Sequence, residues 1–137
     1  MPVPHAKRRL AKRTMIWIAV AVGGSLGAVL RFAISRSAVT AFGTAFPWGT
    51  LIANAVGAFA IGFLFAWFSH RLSVTPAVRA LIMTGLLGAL TTFSTFSLET
   101  LELLHGGEMV RAGLNVAANL GLALVLVWGG YVLGGRL

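Results

Sequence analysis

Four stretches of this chain contain no charged side chain: Thr14 to Leu30, Phe46 to Ser69, Ala80 to Leu98 and Ala112 to Gly135. A helix crossing the hydrocarbon core of a bilayer, roughly 30 Å thick, needs about 20 mostly apolar residues. The second and fourth stretches meet that length outright and the third nearly does. The first reaches it if Arg31 sits at its interfacial end. Only 10% of the 137 residues are charged and 58% are hydrophobic, whereas a soluble domain carries about 25% charged residues. The predicted class is an all-α integral membrane protein of four transmembrane helices.

The first span follows Lys7, Arg8, Arg9, Lys12 and Arg13, the order of charge and apolarity found in export signals. Its apolar run continues through Leu30, longer than a signal core, and no small-x-small cleavage site ends it. It is therefore read as a span. Residues 1–13 form a basic tail, expected to be mobile, and residues 14–137 a single membrane domain. The formal charge of +8 could suggest nucleic acid. Five of the eleven basic residues lie in this one tail, which reads instead as a cytoplasmic anchor facing anionic lipid. Cysteine is absent, so disulfides and thiolate sites are excluded.

Spacing then predicts the elements. The first helix runs from Thr14 to Ile34, with Gly23 and Gly27 as GxxxG, a spacing that lets helices approach closely in lipid. A loop over Ser35 to Pro47 leads to a second helix, Trp48 to Phe68. The third begins with Thr75 as cap and Pro76 at the first helical position. Midway it meets glycine and five hydroxyls, Thr91, Thr92, Ser94, Thr95 and Ser97, which compete for backbone bonds. A break between Gly88 and Thr92 follows, and such backbone at that depth must line a polar cavity or lie within protein. Phe93 to His105 resumes the helix until Gly106 and Gly107; the fourth helix spans Val110 to Leu133.

Several residues could carry chemistry. Asn54 in the second helix is either a pathway residue or interhelical glue. Phe93 and Phe96 share a helical face, while Thr92, Thr95 and Glu99 form a second stripe. Ring edges and O–H or N–H donors can all solvate an anion without a fixed positive charge, so this segment suits an anion pathway. Packing against lipid or other helices is the alternative for the rings. Arg31 could concentrate anions, pair with a carboxylate or snorkel to the interface. Glu99 pairs within the membrane or starts the interfacial part of its helix. Asn115 and Asn119 share a face of the fourth helix, again as pathway or glue. His5, His70 and His105 fall in loops or termini and build no metal cluster or hydrolytic triad.

GGSLGAVLRF (Gly23 to Phe32), WGTLIANAVGAFAIGF (Trp48 to Phe63) and GLLGALTTFSTFSLE (Gly85 to Glu99) resemble the Fluc/CrcB family of fluoride channels, over nearly all the chain after the tail. The resemblance implies an antiparallel dual-topology homodimer with two fluoride pores and a structural sodium ion at the interface, in the bacterial inner membrane. Gly88 and Thr91 would offer backbone carbonyls to sodium, a hard cation suited by oxygen ligands. Asn54, Phe93 and Phe96 match pathway positions; Thr95 and Ser97 lie in the same motif. Asn119 is a further candidate where the family pattern has serine or threonine, and Arg31 and Glu99 carry electrostatic or structural roles. A small multidrug-type proton-coupled transporter needs a carboxylate deep in a span, and the first helix has no acidic residue. A non-transporting membrane subunit, whose polar residues would merely hold helices together, is the remaining reading; enzyme activity has no support.

Positive charge sets orientation. Eight basic residues fall on the side of the N-terminus against three, Arg31, Arg36 and Arg111, on the other, so both termini are expected in the cytoplasm. Without residues 1–13 the two sides carry three each. Deleting the tail should make insertion more even, read by labelling cysteines engineered at the termini; unchanged labelling would contradict this.

Overall fold

The computed structural model describes residues 5–69 and 74–137, without the side chains of residues 5–9. His70 and Arg71 lie outside the described residues. Helix α1 is His5–Phe42 and α2 is Trp48–Ser69. The third span, Pro76–His105, divides into α3 (residues 76–90) and α4 (Phe93–His105). Helix α5 is Met109–Gly134. Among the described residues four segments are thus long and apolar enough to cross a membrane, and the third is broken, as the hydroxyl-rich run predicts.

Two departures concern α1. The basic stretch is helical from His5 and continuous with the span, and the expected loop over Ser35 to Pro47 stays helical through Phe42. Both follow from composition. Residues 5–13 are mostly Lys, Arg, Ala and Leu, all strong helix formers, and no Gly or Pro intervenes before Gly23. Beyond Ser35 the helix is held by packing: Ala38 is buried, and a side chain at Gly49 would strike the Ser35 backbone. Gly43, at φ +76°, ends it. Phe42, Phe46 and Trp48 then cluster at the turn, with ring centroids 5.8 and 4.8 Å from Trp48.

The helices pair through glycine. A Cβ on Gly23 would lie 2.0 Å from the Leu81 carbonyl oxygen, and one on Gly27 2.1 Å from that of Leu86. The predicted GxxxG element is therefore the α1–α3 seam. A second seam joins α2 to α5, where Gly62 abuts the Val127 carbonyl and Gly130 and Gly134 abut those of Phe59 and Phe63. Two stretches are wound as π-helix, Ala80–Leu87 in α3 and Ala118–Leu122 in α5. Such bulges cluster near functional sites, and the second contains Asn119.

At the start of α3 the Thr75 hydroxyl accepts from the Val78 N–H, and Arg79 donates to the Phe68 carbonyl while lying over the Phe68 ring. At the other end Gly107, at φ +76°, stops α4 before α5 begins.

The seam makes a sharp expectation. Gly62→Ala, whose Cβ would sit 2.0 Å from a backbone oxygen, should cost about 1–3 kcal/mol of stability by overpacking. Gly24→Ala, with nothing within 4 Å, should be neutral. Denaturant titration of the purified protein compares the two; equal midpoints would contradict the close approach.

Candidate functional site

The site begins where the third span loses its helix. Thr91 (φ −80°, ψ 154°) and Thr92 (φ −152°, ψ 120°) are extended. In a continuous helix the Thr92 N–H would bond the Gly88 carbonyl; here it donates to Asn54 Oδ1 at 2.8 Å. Asn54 Nδ2 donates in return to the Thr92 carbonyl at 3.2 Å. One amide side chain from α2 therefore supplies both a donor and an acceptor to the interrupted backbone. The Thr95 N–H, which would otherwise bond the Thr91 carbonyl, bonds Thr92 Oγ1, making Thr92 the N-cap of α4. The carbonyls of Gly88 and Thr91 are released from the helical ladder by these two exchanges.

From Asn54 a buried chain of amides runs along α5. Asn54 Nδ2 donates to Asn119 Oδ1 (2.8 Å), Asn119 Nδ2 to Asn115 Oδ1 (2.9 Å), and Asn115 Nδ2 to Thr100 Oγ1 (2.9 Å). Thr100 Oγ1 finally donates to the Phe96 carbonyl at 2.7 Å. Asn115 is fully buried and Asn119 is 5% exposed. Each donor points the same way, from the amide of Thr92 to the carbonyl of Phe96, so the bonds polarise one another.

The Asn54 end of this chain faces a cavity of about 310 Å³ whose walls include Asn54, Gly88, Thr91, Phe93, Phe96 and Asn119. Phe93 and Phe96 meet edge to face, centroids 5.3 Å apart at 63°. Phe96 is buried, whereas Phe93 is 72% exposed on the open side of the cavity.

Two further cavities lie toward the α1–α2 turn. One of about 330 Å³ is lined by Arg31, Ser35, Thr50, Thr92 and Thr95; the other, about 360 Å³, opens by Trp48 and carries Ser35, Thr50, Glu99, Glu102 and Glu108. Thr92 walls the first two cavities, and Ser35 and Thr50 wall the last two. They are consecutive compartments along one side of α4. The Thr50 hydroxyl donates to Glu99 Oε1 at 2.7 Å, while Glu99 Oε2 and Arg31 Nε are buried without a hydrogen-bond partner. Arg31 faces hydroxyls and not a carboxylate; the ion pair among the described residues is Arg111–Glu108, at 2.8 Å on the surface.

Of the residues singled out from sequence, Asn54, Gly88, Thr91, Phe93, Phe96 and Asn119 converge on one cavity, and Thr95 and Arg31 on the next. Ser97 joins none of the three: it is exposed, and its hydroxyl bonds the Phe93 carbonyl of its own helix. Thr50 and Thr100 were not anticipated. Their signal was helical spacing, since Thr50 precedes Asn54 by four residues and Thr100 follows Phe96 by four, placing each on its neighbour's face.

Comparison with known proteins shows the family. Residues 18–131 match the family model described as CrcB-like protein, Camphor Resistance (CrcB). A protein of Shewanella amazonensis called fluoride-specific ion channel FluC is 54% identical over 109 residues, 80% of this chain and 87% of that one. One of the same name from Opitutus terrae is 48% identical over 120 residues, covering 85% and 90%. This chain, a multi-pass membrane protein, belongs to the CrcB family.

Proposed function

We propose that the chain is one subunit of a passive, fluoride-selective channel that lowers cytoplasmic fluoride, built from two identical antiparallel copies with two pores. The observation that carries the reading is the meeting of Asn54, Thr92 and Asn119 at the break of the third span, beside the Phe93–Phe96 pair. The names borne by its relatives support it.

Fluoride is an acceptor of hydrogen bonds, and the cavity walls are rich in donors of moderate strength. The donors of Asn54 are engaged by two oxygen atoms, the Thr92 carbonyl and Asn119 Oδ1. Fluoride would displace the Asn119 oxygen, the softer constraint of the two because it belongs to a side chain. Ring edges of Phe93 and Phe96 would complete its shell. Such a site binds without a fixed countercharge, which lets the ion leave as readily as it enters.

The three compartments sharing Thr92, Ser35 and Thr50 support a route from the α1–α2 turn to the middle of the span. Beyond it the central cavity is walled by Ile61, Leu87 and Ala123, which offer an anion nothing. One chain thus supplies half of a polar path. An antiparallel second copy, set against the open side where Phe93 is exposed, would supply the other half.

The freed carbonyls of Gly88 and Thr91 fit sodium, since both are oxygen donors released from helical pairing at the same break. They would hold the ion together with the same pair from the partner copy, and the ion would supply charge that binds the two copies. Exchanging sodium for N-methylglucamine should then weaken the dimer, read by subunit exchange between differently labelled copies; exchange indifferent to sodium would remove the ion from the proposal.

The function is tested in liposomes with fluoride- and chloride-selective electrodes. Fluoride efflux without chloride efflux, reduced at least about tenfold in Phe96→Ile, a change in transition-state free energy of about 1.4 kcal/mol, is expected. Equal passage of both halides, or undiminished efflux in a Phe96→Ile protein that still dimerises, would contradict it.

A further inference from the structure

Two side chains of the amide chain stand away from the route. Asn54 and Asn119 wall the central cavity, whereas Asn115 and Thr100 wall neither it nor the two compartments toward the α1–α2 turn. Asn115 is fully buried and bonded at both ends, accepting from Asn119 Nδ2 and donating to Thr100 Oγ1.

The direction of these bonds is held most firmly at Thr92. Its backbone N–H cannot turn, so Asn54 keeps Oδ1 toward it and Nδ2 toward Asn119. Beyond Asn54 the chain is free to turn. The terminal torsion of asparagine is broad and roughly two-fold, so a half-turn exchanges Oδ1 and Nδ2 at little intrinsic cost. A hydroxyl donates or accepts as its hydrogen rotates. With Asn119, Asn115 and Thr100 turned together, Asn115 Nδ2 would donate to Asn119 Oδ1 and Thr100 Oγ1 to Asn115 Oδ1, across the same 2.9 Å separations.

The acceptors given up keep other partners. The Asn115 carbonyl, which also receives Asn119 Nδ2, retains the Ala118 N–H. The Phe96 carbonyl loses the Thr100 hydroxyl but retains the Thr100 N–H of its own helix. One conflict remains: Asn119 Nδ2 would face Asn54 Nδ2, donor against donor. An acceptor set between them removes it. Water both donates and accepts, so it can bridge Asn54 Nδ2 to Asn119 Oδ1 with the chain as it stands. Fluoride only accepts. Against Asn119 Oδ1 it meets a lone pair, and against Asn119 Nδ2 a donor.

We infer that fluoride entering between Asn54 and Asn119 reverses the amide chain, and that Asn115 is the positioning residue that holds Asn119 Nδ2 on the ion by donating to Asn119 Oδ1. This rests on the fluoride-channel reading above. No proton changes owner, since the three groups only rotate. The reversal also carries ion occupancy into α4. Hydroxyl bonds to the carbonyl one turn back bend helices, so releasing the Phe96 carbonyl alters the turn that bears a ring of the cavity wall. Leucine at position 115 would hold the chain in its present direction: Asn119 Nδ2 would keep the backbone carbonyl of residue 115, while a turned Asn119 Oδ1 would find no donor.

Solid-state NMR of the full-length protein in bilayers, labelled at the asparagine side chains and the Phe96 carbonyl, follows a fluoride titration, with efflux recorded on the same preparation. The Asn115 amide and the Phe96 carbonyl should shift with the same fluoride midpoint as the Asn54 amide, although Asn115 walls no part of the route. Asn115→Leu should raise the midpoint at Asn54 at least about tenfold, the effect of removing one hydrogen bond from the ion-holding direction alone. Thr100→Val should silence the Phe96 carbonyl and leave the Asn115 response in place. The first comparison uses the wild-type chain and so stands even where Asn115→Leu fails to fold. An Asn115 amide that stays still while Asn54 moves and fluoride efflux is intact would overturn the inference and leave the channel reading standing. So would an unchanged Asn54 midpoint in Asn115→Leu, or a Phe96 carbonyl that still responds in Thr100→Val. Fluoride without effect on Asn54 and without efflux would overturn both.

Discussion

Everything distinctive in this protein depends on one reciprocal pair of hydrogen bonds, between the side-chain amide of Asn54 and the backbone of Thr92. Inside a bilayer an interrupted helix exposes peptide groups that no solvent can satisfy, at a cost of several kcal/mol for each. Asn54 removes part of that cost by presenting an oxygen to the orphaned Thr92 N–H, and its nitrogen, donating to the Thr92 carbonyl, ties the start of the new helix to α2. Once the interruption is tolerated, the rest follows. Thr92 caps a new helix, the ring pair of Phe93 and Phe96 is turned into the cavity, and two carbonyls upstream leave the helical ladder.

The remaining helices serve to bring that break and its partners within bonding distance. Glycine at the α1–α3 and α2–α5 seams lets backbones touch, so α5 stands close enough for Asn119 to receive Asn54. The π-wound segment at Ala118–Leu122 includes Asn119 and coincides with the bend of the polar chain toward Asn115. Because hydrophobic driving force is weak between helices in lipid, close packing and polar bonds carry the assembly together. A polar chain bonded from end to end stiffens the fold and, on the proposed function, would store donors for an anion to recruit.

Much of this was legible before any coordinates. Charge-free windows placed the spans, and hydroxyls around Thr91 and Thr92 placed the break, because both rest on local composition. The end of the first helix was not: Arg36 and Thr40 read as loop, yet packing of Ser35 against Gly49 and burial of Ala38 keep the helix intact to Phe42. Neither π segment has a local signature, since helix winding there responds to neighbouring backbones. The bond from Thr50 to Glu99 joins residues far apart in sequence. Asn115 and Asn119 were visible as a face of α5, but their direction of donation is set by Thr92 at one end and the Phe96 carbonyl at the other.

The central claim is that the Asn54–Thr92 pair both holds the break and meets the ion. Solid-state NMR of labelled protein in bilayers tests it directly, through the carbon shifts of Thr91 and Thr92 and the side-chain amide of Asn54 during fluoride and chloride titrations. The account predicts extended-backbone shifts at both threonines and an Asn54 amide that moves with fluoride but not with chloride. Helical shifts through residues 88–95, or an Asn54 amide indifferent to fluoride, would contradict it.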